Sequence, residues 1–256
     1  MNGKTVLITG ASSGFGAATA MRFSAVASHI ILVARRLERL KELEKKILLS
    51  NQNCACYLVS MDVQNDREVD SLLEKLPEEF CNIDVLVNNA GLALGLNGAW
   101  ETEVDDWDKM INTNCRALVR ITRRILPGMV ERNRGHVINI GSVAGNWPYP
   151  GGNVYGASKA FVQQFSRNLR CDLLGKNIRV TNIEPGMADT EFSLVRFSGD
   201  KDKADKVYEG TRALKAEDVA ETIFWASSLP EHVNINTLEV MPTCQAWSPF
   251  AVDRTM

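Results

Sequence analysis

The sequence predicts an α/β fold: a single doubly wound domain with a seven-stranded parallel sheet and helices on both faces. Short β-branched or apolar runs alternate with longer amphipathic stretches along nearly the whole chain, which is typical of repeated βα units. Several of the short runs are apolar nearly throughout, as in strands that helices cover on both faces. Since no internal repeat or low-complexity linker interrupts the pattern, we expect residues 1–256 to form one domain.

The periodicity sets the order of the elements. It predicts strands at 4–9, 29–34, 56–61, 83–88, 136–141, 178–183 and 235–240. The helices predicted between them span 15–27, 37–50, 66–76, 104–131, 153–174 and 216–228. The remaining segment, 186–214, is charged and longer than a normal βα connection. Because long insertions at the carboxyl ends of strands bind ligands in open α/β sheets, we interpret it as a substrate lid; a mobile surface loop is the alternative.

The composition narrows the classes of ligand. A net charge of -2 without long runs of one sign gives no attraction to nucleic acid or to an anionic membrane. The six cysteines lack Cys-x-x-Cys spacing and the three histidines lie far apart, so we expect reduced thiols and no metal site. The apolar run 6–8 is too short for a signal peptide, which favours a soluble, cytoplasmic protein.

A glycine-rich turn, "TGASSGFG", follows the first strand directly, with glycines at positions 10, 14 and 16. Such a turn lets the backbone approach a pyrophosphate, whose charge the amides of the next helix accept. The spacing differs from the commonest dinucleotide fingerprint, and tight packing alone is the other interpretation. The predicted cofactor contacts here are Gly10, Ser12, Ser13, Gly14, Phe15 and Gly16.

The ends of the next strands indicate the type of nucleotide. The second strand ends at Arg35 and Arg36, whose guanidinium groups suit a 2'-phosphate, so NADP(H) is favoured over NAD(H). One of the two arginines could instead begin a solvated helix face. Asp62 and Val63 end the third strand, where they could frame an adenine. The fourth strand ends in "NNAG", and we expect its last three residues, Asn89, Ala90 and Gly91, to pass close to the cofactor.

Four polar residues are candidates for the chemistry. Ser142 follows the fifth strand, and Tyr155 and Lys159 begin the helix behind it. Positions i and i+4 share a helix face, so the Tyr/Lys spacing suits either a catalytic pair or an ordinary surface pair. Asn114 lies inside a predicted helix, where Asn is a poor former; it either bends the helix or has a polar function.

Taken together, these segments resemble the short-chain dehydrogenase/reductase family. The resemblance rests on "TGASSGFG", "NNAG", Asn114, Ser142 thirteen residues before Tyr155, "YGASK" and "PGMADT" at 185–190. It implies a Rossmann-like fold, with Tyr155 as general acid/base and Ser142 bound to the substrate oxygen. It also implies that Lys159 holds the nicotinamide ribose and lowers the phenol pKa, that Asn114 supports a proton-relay water, and that the cofactor contacts include Pro185, Gly186 and Thr190.

The resemblance also implies an assembly. Relatives pair through helices like 104–131 and 153–174 and meet again through a strand like 235–240, which gives homotetramers. In the tail of this chain, Trp247 and Phe250 are apolar side chains that would favour burial, for example against a neighbouring subunit.

Longer segments, such as "WPYPGGNVYGASKAFVQQFSRNLRCDL" and "HVNINTLEVMP", look like those of the NADP-dependent 3-hydroxy acid dehydrogenases of this family. This similarity implies oxidation of serine, allo-threonine and related 3-hydroxy acids, and reduction of malonic semialdehyde. Such substrates need a partner for their carboxylate, and we expect Arg196 to bind it, although a surface arginine without a ligand is the alternative. Trp147 and Tyr149 could form walls of the pocket or simply pack.

Two other functions stay open on the sequence. One is an NADPH-dependent reductase of a ketone, sugar or pterin carbonyl. The other is a dinucleotide-sensing scaffold, because fold does not imply chemistry. The presence of Ser142, Tyr155 and Lys159 together argues against the scaffold, since a sensor needs no proton donor.

Overall fold

The computed structural model describes residues 3–247 and 251–255 and confirms the predicted fold class. Seven parallel strands form one sheet in the order β3-β2-β1-β4-β5-β6-β7. They are β1 (Thr5–Thr9), β2 (His29–Ala34), β3 (Ala55–Ser60), β4 (Ile83–Asn88), β5 (Gly135–Ile140), β6 (Ile178–Pro185) and β7 (Thr237–Val240). The strand order reverses between β1 and β4, and a doubly wound sheet opens its ligand crevice at this position.

Helices cover both faces of the sheet. They are α1 (Gly14–Ser24), α2 (Leu37–Ser50), α3 (Asp66–Asp70), α4 (Val104–Ile111), α5 (Leu118–Glu131), α6 (Asn153–Asp172), α7 (Glu191–Arg196), α8 (Lys201–Tyr208) and α9 (Ala216–Ser228). Among the residues that the structure describes, no helix is both long enough and apolar enough to cross a membrane.

Two apolar cores explain why the strands are apolar throughout. Val6 and Ile8 of β1 point into one core, and Leu7 between them points into the other, because successive side chains of a strand face opposite sides. All three side chains are fully buried. A polar side chain at any of these three positions would therefore be buried under the helices that cover that face of the sheet.

Two of the predicted helices are less regular than expected. In the predicted stretch 66–76, α3 ends at Asp70, where the Ser71 hydroxyl donates to the Glu68 carbonyl, and short 3-10 turns follow. In the predicted stretch 104–131, a π-helical turn, Asn112–Ala117, separates α4 from α5. The π turn contains Asn114, the residue whose poor helix propensity suggested a bend.

The segment 186–214 is folded. Helices α7 and α8 are joined across it by the Tyr208 hydroxyl, which donates to the Ala188 carbonyl at 2.8 Å and lies 2.5 Å from the Ser193 hydroxyl. Ala188 also forms a parallel bridge with Leu214 at the other end of the segment. The segment therefore forms a closed flap whose two ends meet beside β6.

A buried histidine lies at the opposite, amino-terminal end of the sheet. His136 in β5 is 2% exposed, and its Nε2 lies 2.8 Å from the Thr181 hydroxyl. Burial, helped by the positive charges of Arg179 and Lys4, holds the pKa of His136 well below its usual value. The folded state therefore keeps this imidazole neutral where an unfolded chain would protonate it.

We expect the unfolding free energy to fall between pH 7.5 and 5.5, and to fall less in His136→Gln. A histidine with a depressed folded pKa stabilises fully above its unfolded pKa of about 6.5 and loses this contribution as the pH drops below it. The loss attributable to one such group reaches about 1.4 kcal/mol at pH 5.5. Urea denaturation at both pH values measures it.

The exposed His232 provides the matched control. His232→Gln should keep the wild-type difference between the two pH values. An equal pH dependence in wild type and His136→Gln would show that His136 does not cause the loss.

Candidate active site

A cavity of about 520 Å³ lies at the carboxyl ends of the strands. Twenty-one of the residues predicted for the site line it: Gly10, Ser12, Ser13, Gly14, Phe15, Arg35, Arg36, Asp62, Val63, Asn89, Ala90, Gly91, Ser142, Trp147, Tyr149, Tyr155, Lys159, Pro185, Gly186, Thr190 and Arg196. Gly16 and Asn114 do not line it. The structure therefore brings the nucleotide motifs and the chemical candidates into one crevice.

The glycines of the first turn serve two different purposes. Gly10 has a φ of +66°, and a Cβ there would lie 2.8 Å from the Asn89 amide nitrogen. A Cβ on Gly16 would lie 2.4 Å from the Gly10 carbonyl oxygen, so Gly16 lets α1 pack onto the turn. Asn89 locks the turn by donating to the carbonyls of Thr9 and Gly10. Gly16 thus serves the tight packing of α1, and Gly10 serves the close turn of the backbone that could hold a pyrophosphate.

This turn fits a pyrophosphate. Ser13 is the N-cap of α1, and its side chain makes no capping hydrogen bond to the first amides of the helix. The open cavity in front of these amides and the close backbone at Gly10 leave a concave, electropositive surface. A dinucleotide therefore has a place to bind through its phosphates.

Arginines also meet at the end of β2. The guanidinium of Arg36 donates to the hydroxyls of Ser12 and Ser13 at 2.8–3.2 Å. Arg36 and Arg39 both pair with Glu191, the first residue of α7. Neither Arg39 nor Glu191 was among the sequence candidates, since no local pattern links positions separated by more than 150 residues.

The turn that carries Ser142 lies directly against α6. Ser142 caps a short 3-10 turn, Val143–Gly145, and accepts from the Ala144 amide at 3.1 Å. A Cβ on Gly145 would lie 2.8 Å from the Lys159 carbonyl carbon, so only glycine allows this approach. The contact brings the Ser142 and Tyr155 hydroxyls together, as the hydrogen bond that acts on the Tyr155 pKa shows.

Tyr155 and Lys159 lie inside the site. Tyr155 is 9% exposed and Lys159 is 6% exposed. The Lys159 ammonium donates to the Ile140 carbonyl at 2.8 Å and lies 5.8 Å from the centre of the Tyr155 ring. The pair is therefore buried beside the end of β5, which excludes an ordinary surface pair.

Burial dominates the ionisation of both groups. It raises the pKa of Tyr155 to about 12, while the hydrogen bond with Ser142 and the charge of Arg196 act in the opposite direction. It lowers the pKa of Lys159 to about 8. Near neutral pH the phenol is thus protonated, as a proton donor must be. That Lys159 lowers the phenol pKa stays a prediction for the dinucleotide complex.

Asn114 makes contacts other than those expected. Its amide donates to the Leu92 carbonyl at 2.9 Å and to the Ser158 hydroxyl at 3.0 Å, and its carbonyl accepts from the Leu92 amide at 2.9 Å. The side chain is 1% exposed. It therefore ties the strand end after β4 to α6, and a role with a relay water stays a prediction.

Aromatic side chains and the cation of Arg196 form another wall of the cavity. Arg196, at the end of α7, donates to the Tyr149 hydroxyl at 2.7 Å, and its Cζ lies 5.2 Å from the centre of the Tyr155 ring. Two buried N–H groups here, Arg196 Nε and the Trp147 indole nitrogen, make no hydrogen bond with the described residues. Trp147 also packs edge-on against Trp247 at 6.3 Å. Trp247, a side chain expected to favour burial, is 73% exposed in the single chain. Phe250, of which the same burial was expected, lies outside the described residues.

Metal binding has no support in residues 3–247 and 251–255, which contain no group of three His, Cys, Asp or Glu side chains able to hold an ion. The six cysteines are free.

The crevice at the strand reversal, with Ser142 next to a buried Tyr and Lys and beside a dinucleotide turn, defines an oxidoreductase of the doubly wound α/β class. The sequence model of short chain dehydrogenases matches residues 4–200. The chain belongs to this family, as its motifs predicted.

Relatives of high similarity cover the whole length. A protein of Escherichia coli strain K12, an NADP-dependent 3-hydroxy acid dehydrogenase, is 55% identical over 250 residues, which are 97% of this chain and 99% of the relative. Sulfoacetaldehyde reductase 2 of Chromohalobacter salexigens is 53% identical over 250 residues, 97% and 98% of the two chains. The closed form of a serine dehydrogenase complexed with NADP⁺ superposes with a TM-score of 0.91 at 55% identity, covering 97% and 98%.

Proposed function

We propose that this chain is an NADP-dependent oxidoreductase that interconverts a 3-hydroxy acid of the serine, allo-threonine or 3-hydroxypropionate class with its 3-oxo acid or semialdehyde. The observation that carries the proposal is the position of Arg196, whose Cζ lies 5.2 Å from the centre of the buried Tyr155 ring in the wall of the cavity. A cation able to bind an anion then lies beside the group that we assign as the proton donor. The names of the dehydrogenase and reductase relatives support the same reaction class.

The cofactor assignment rests on the ends of β1 and β2. The glycine turn suits the pyrophosphate, and Arg35 and Arg36 line the cavity where an adenosine 2'-phosphate would lie. The cited dehydrogenase relative is named for NADP, and the structure of the serine dehydrogenase contains NADP⁺. When bound, NADP(H) supplies or accepts the hydride at the substrate carbon.

The protein groups handle the proton. In reduction, the Tyr155 hydroxyl donates its proton to the substrate oxygen, and in oxidation the same group takes the proton back. Ser142 donates a hydrogen bond to that oxygen and orients it. Lys159 keeps a positive charge within 5.8 Å of the phenol ring and so favours the phenolate that reduction leaves behind.

The substrate class follows from the unpartnered donors. A 3-oxo acid and sulfoacetaldehyde both carry an anionic group one methylene from the reacting carbonyl. Arg196 Nε and the Trp147 indole N–H are buried donors that find no acceptor among residues 3–247 and 251–255, and leaving such donors unpaired costs about 1–3 kcal/mol each. Tyr149 holds the guanidinium in place. An anionic substrate head bound by the Arg196 guanidinium would accept from its Nε, and a neutral ketone, sugar or pterin would gain less from this cation.

We expect Tyr155→Phe to reduce turnover by about 10²–10⁴-fold, because the general acid is removed while ring packing is kept. NADP⁺ affinity, measured by titration calorimetry, should stay within about two-fold of wild type. Initial rates of NADPH oxidation with malonic semialdehyde give the turnover. Wild-type turnover in this variant would contradict the assignment of Tyr155.

We expect Arg196→Met to raise KM for malonic semialdehyde and serine by about 10²-fold, since a charge-assisted bidentate contact is lost. A neutral aldehyde of similar size, such as propanal, should be affected less than about three-fold. Steady-state kinetics with both substrates measure the difference. Arg196→Lys is the matched control, which should recover part of the loss because it restores the charge without the fork.

If Arg196→Met changed the kinetics of the neutral and anionic substrates equally, Arg196 would support the pocket without recognising the anion. The 3-hydroxy acid class would then lose its structural basis, while the oxidoreductase reaction would still stand on Tyr155.

We also propose that the chain is cytoplasmic and assembles as a homotetramer. Ile111 of α4 and Phe161 of α6 are apolar side chains that are 46% and 43% exposed on the helices expected to pair. Sedimentation velocity at micromolar concentration should give a tetramer. A monomer under these conditions would refute the assembly.

A further inference from the structure

In the flap, residues 186–214, the carboxylate of Glu191 contacts two arginines beside the proposed cofactor site, Arg36 and Arg39. Glu191 accepts from Nη1 and Nη2 of Arg36 at 3.1 Å, and from Arg39 at 3.4 Å. It also lines the cavity. The carboxylate therefore lies where the proposed function places an anion of the cofactor.

Glu191 and a bound phosphate would compete for the N–H groups of Arg36. A guanidinium has five N–H groups. In Arg36, Nε and Nη2 donate to the hydroxyls of Ser12 and Ser13, and Nη1 and Nη2 donate to Glu191. A bidentate phosphate needs two adjacent N–H groups, and the Nη1/Nη2 pair of Arg36 already donates to the Glu191 carboxylate while the Nε/Nη2 pair donates to the Ser12 hydroxyl. The phosphate must displace Glu191 or share the cation with it.

Electrostatics favours displacement. A carboxylate and a phosphate held by one guanidinium repel each other, because both are anions within a few ångströms. The pair is partly open to solvent, with side-chain exposures of 47% for Arg36 and 37% for Glu191, so screening keeps the repulsion modest. Arg39 offers the displaced carboxylate a second cation on the same helix.

The start of α7 lies on the glycine turn of the proposed cofactor site. Thr190, the N-cap of α7, lies over the glycine turn, where a Cβ on Gly14 would be 3.6 Å from the Thr190 Cβ. Glu191 follows directly, so its carboxylate reaches Arg36 only while the flap rests on the turn. The ion pair is thus made between the flap and the cofactor site, not within either one.

We propose that Glu191 is a built-in competitor of the cofactor's 2'-phosphate: it occupies Arg36 when the phosphate is absent, and it limits the affinity for 2'-phosphorylated nucleotides. The proposal rests on the proposed use of NADP. It assigns to Glu191 a specificity role toward the cofactor. Competition of this kind speeds the release of the 2'-phosphorylated product, a step that often limits turnover.

The test is a binding measurement with two nucleotide fragments. In Glu191→Gln, the Kd for 2',5'-ADP should fall by about three- to ten-fold, because an isosteric neutral side chain no longer competes for Arg36. The Kd for 5'-AMP, which lacks the 2'-phosphate, should change by less than about two-fold and also shows that the adenosine site is intact. Titration calorimetry at low ionic strength measures both, and the gain should shrink as salt is added.

Glu38→Gln is the matched control. Glu38 lies on α2 near the same arginines, but its carboxylate pairs with Lys41. This variant removes the same charge from the same region and should leave the affinity for 2',5'-ADP within about two-fold of wild type.

Three results would overturn the proposal. Weaker binding of 2',5'-ADP by Glu191→Gln would mean that Glu191 orients Arg36 for the phosphate, and an unchanged Kd would mean that the two anions do not compete. Equal tightening of 5'-AMP would mean a general effect on the site. Failure of the cofactor assignment is recognised separately, because wild type would then bind 2',5'-ADP no more tightly than 5'-AMP, and the competitor would have no target.

Discussion

The close approach between Gly16 and the Gly10 carbonyl is the constraint on which the site depends. It allows α1 to begin directly at the carboxyl end of β1, with its first amides facing the crevice. Asn89 fastens the same turn to the end of β4 across the strand reversal. A second approach of this kind, Gly145 against the backbone of α6, brings the Ser142 turn to Tyr155. The nucleotide turn and the Ser142 turn therefore both depend on glycines, which themselves offer no side chain to a ligand.

The sequence predicts the fold well because burial on both faces leaves a strong pattern. The five buried positions of β2 are all apolar, and the three central positions of β1 are buried and apolar between two buried threonines, so the bounds of both strands are recovered almost to the residue. The π turn at 112–117 is harder, since one extra residue leaves the apolar periodicity on both sides unchanged. Asn114 signalled an irregularity there, but its three hydrogen bonds to Leu92 and Ser158 depend on contacts distant in sequence.

The candidate site is predictable where residue type alone specifies the chemistry. Tyr155, Lys159 and Ser142 are such residues, and the structure places them together. Glu191 and Arg39 could not be found, because their meeting depends on how the flap folds back onto the glycine turn. Gly145 carries no chemical signal either, since its importance lies in the space that α6 leaves for it. Contacts between distant segments are therefore what sequence patterns do not encode.

Charge is distributed unevenly for a chain whose net charge is only -2. The cavity is lined by the cations Arg35, Arg36, Lys159 and Arg196, against the acids Asp62 and Glu191. This excess of two positive charges draws anions into the crevice, while the rest of the chain carries a net charge of about -4.

Helix α7 holds one of these charges at each end, Glu191 at its start and Arg196 at its end. Its six residues span about 9 Å of rigid helix. Under the two proposals above, displacement of Glu191 by the cofactor would act on the same helix that carries Arg196 to the substrate. The two binding equilibria would then be thermodynamically linked, with equal and reciprocal effects on each affinity, and a double-mutant cycle between positions 191 and 196 would measure the coupling.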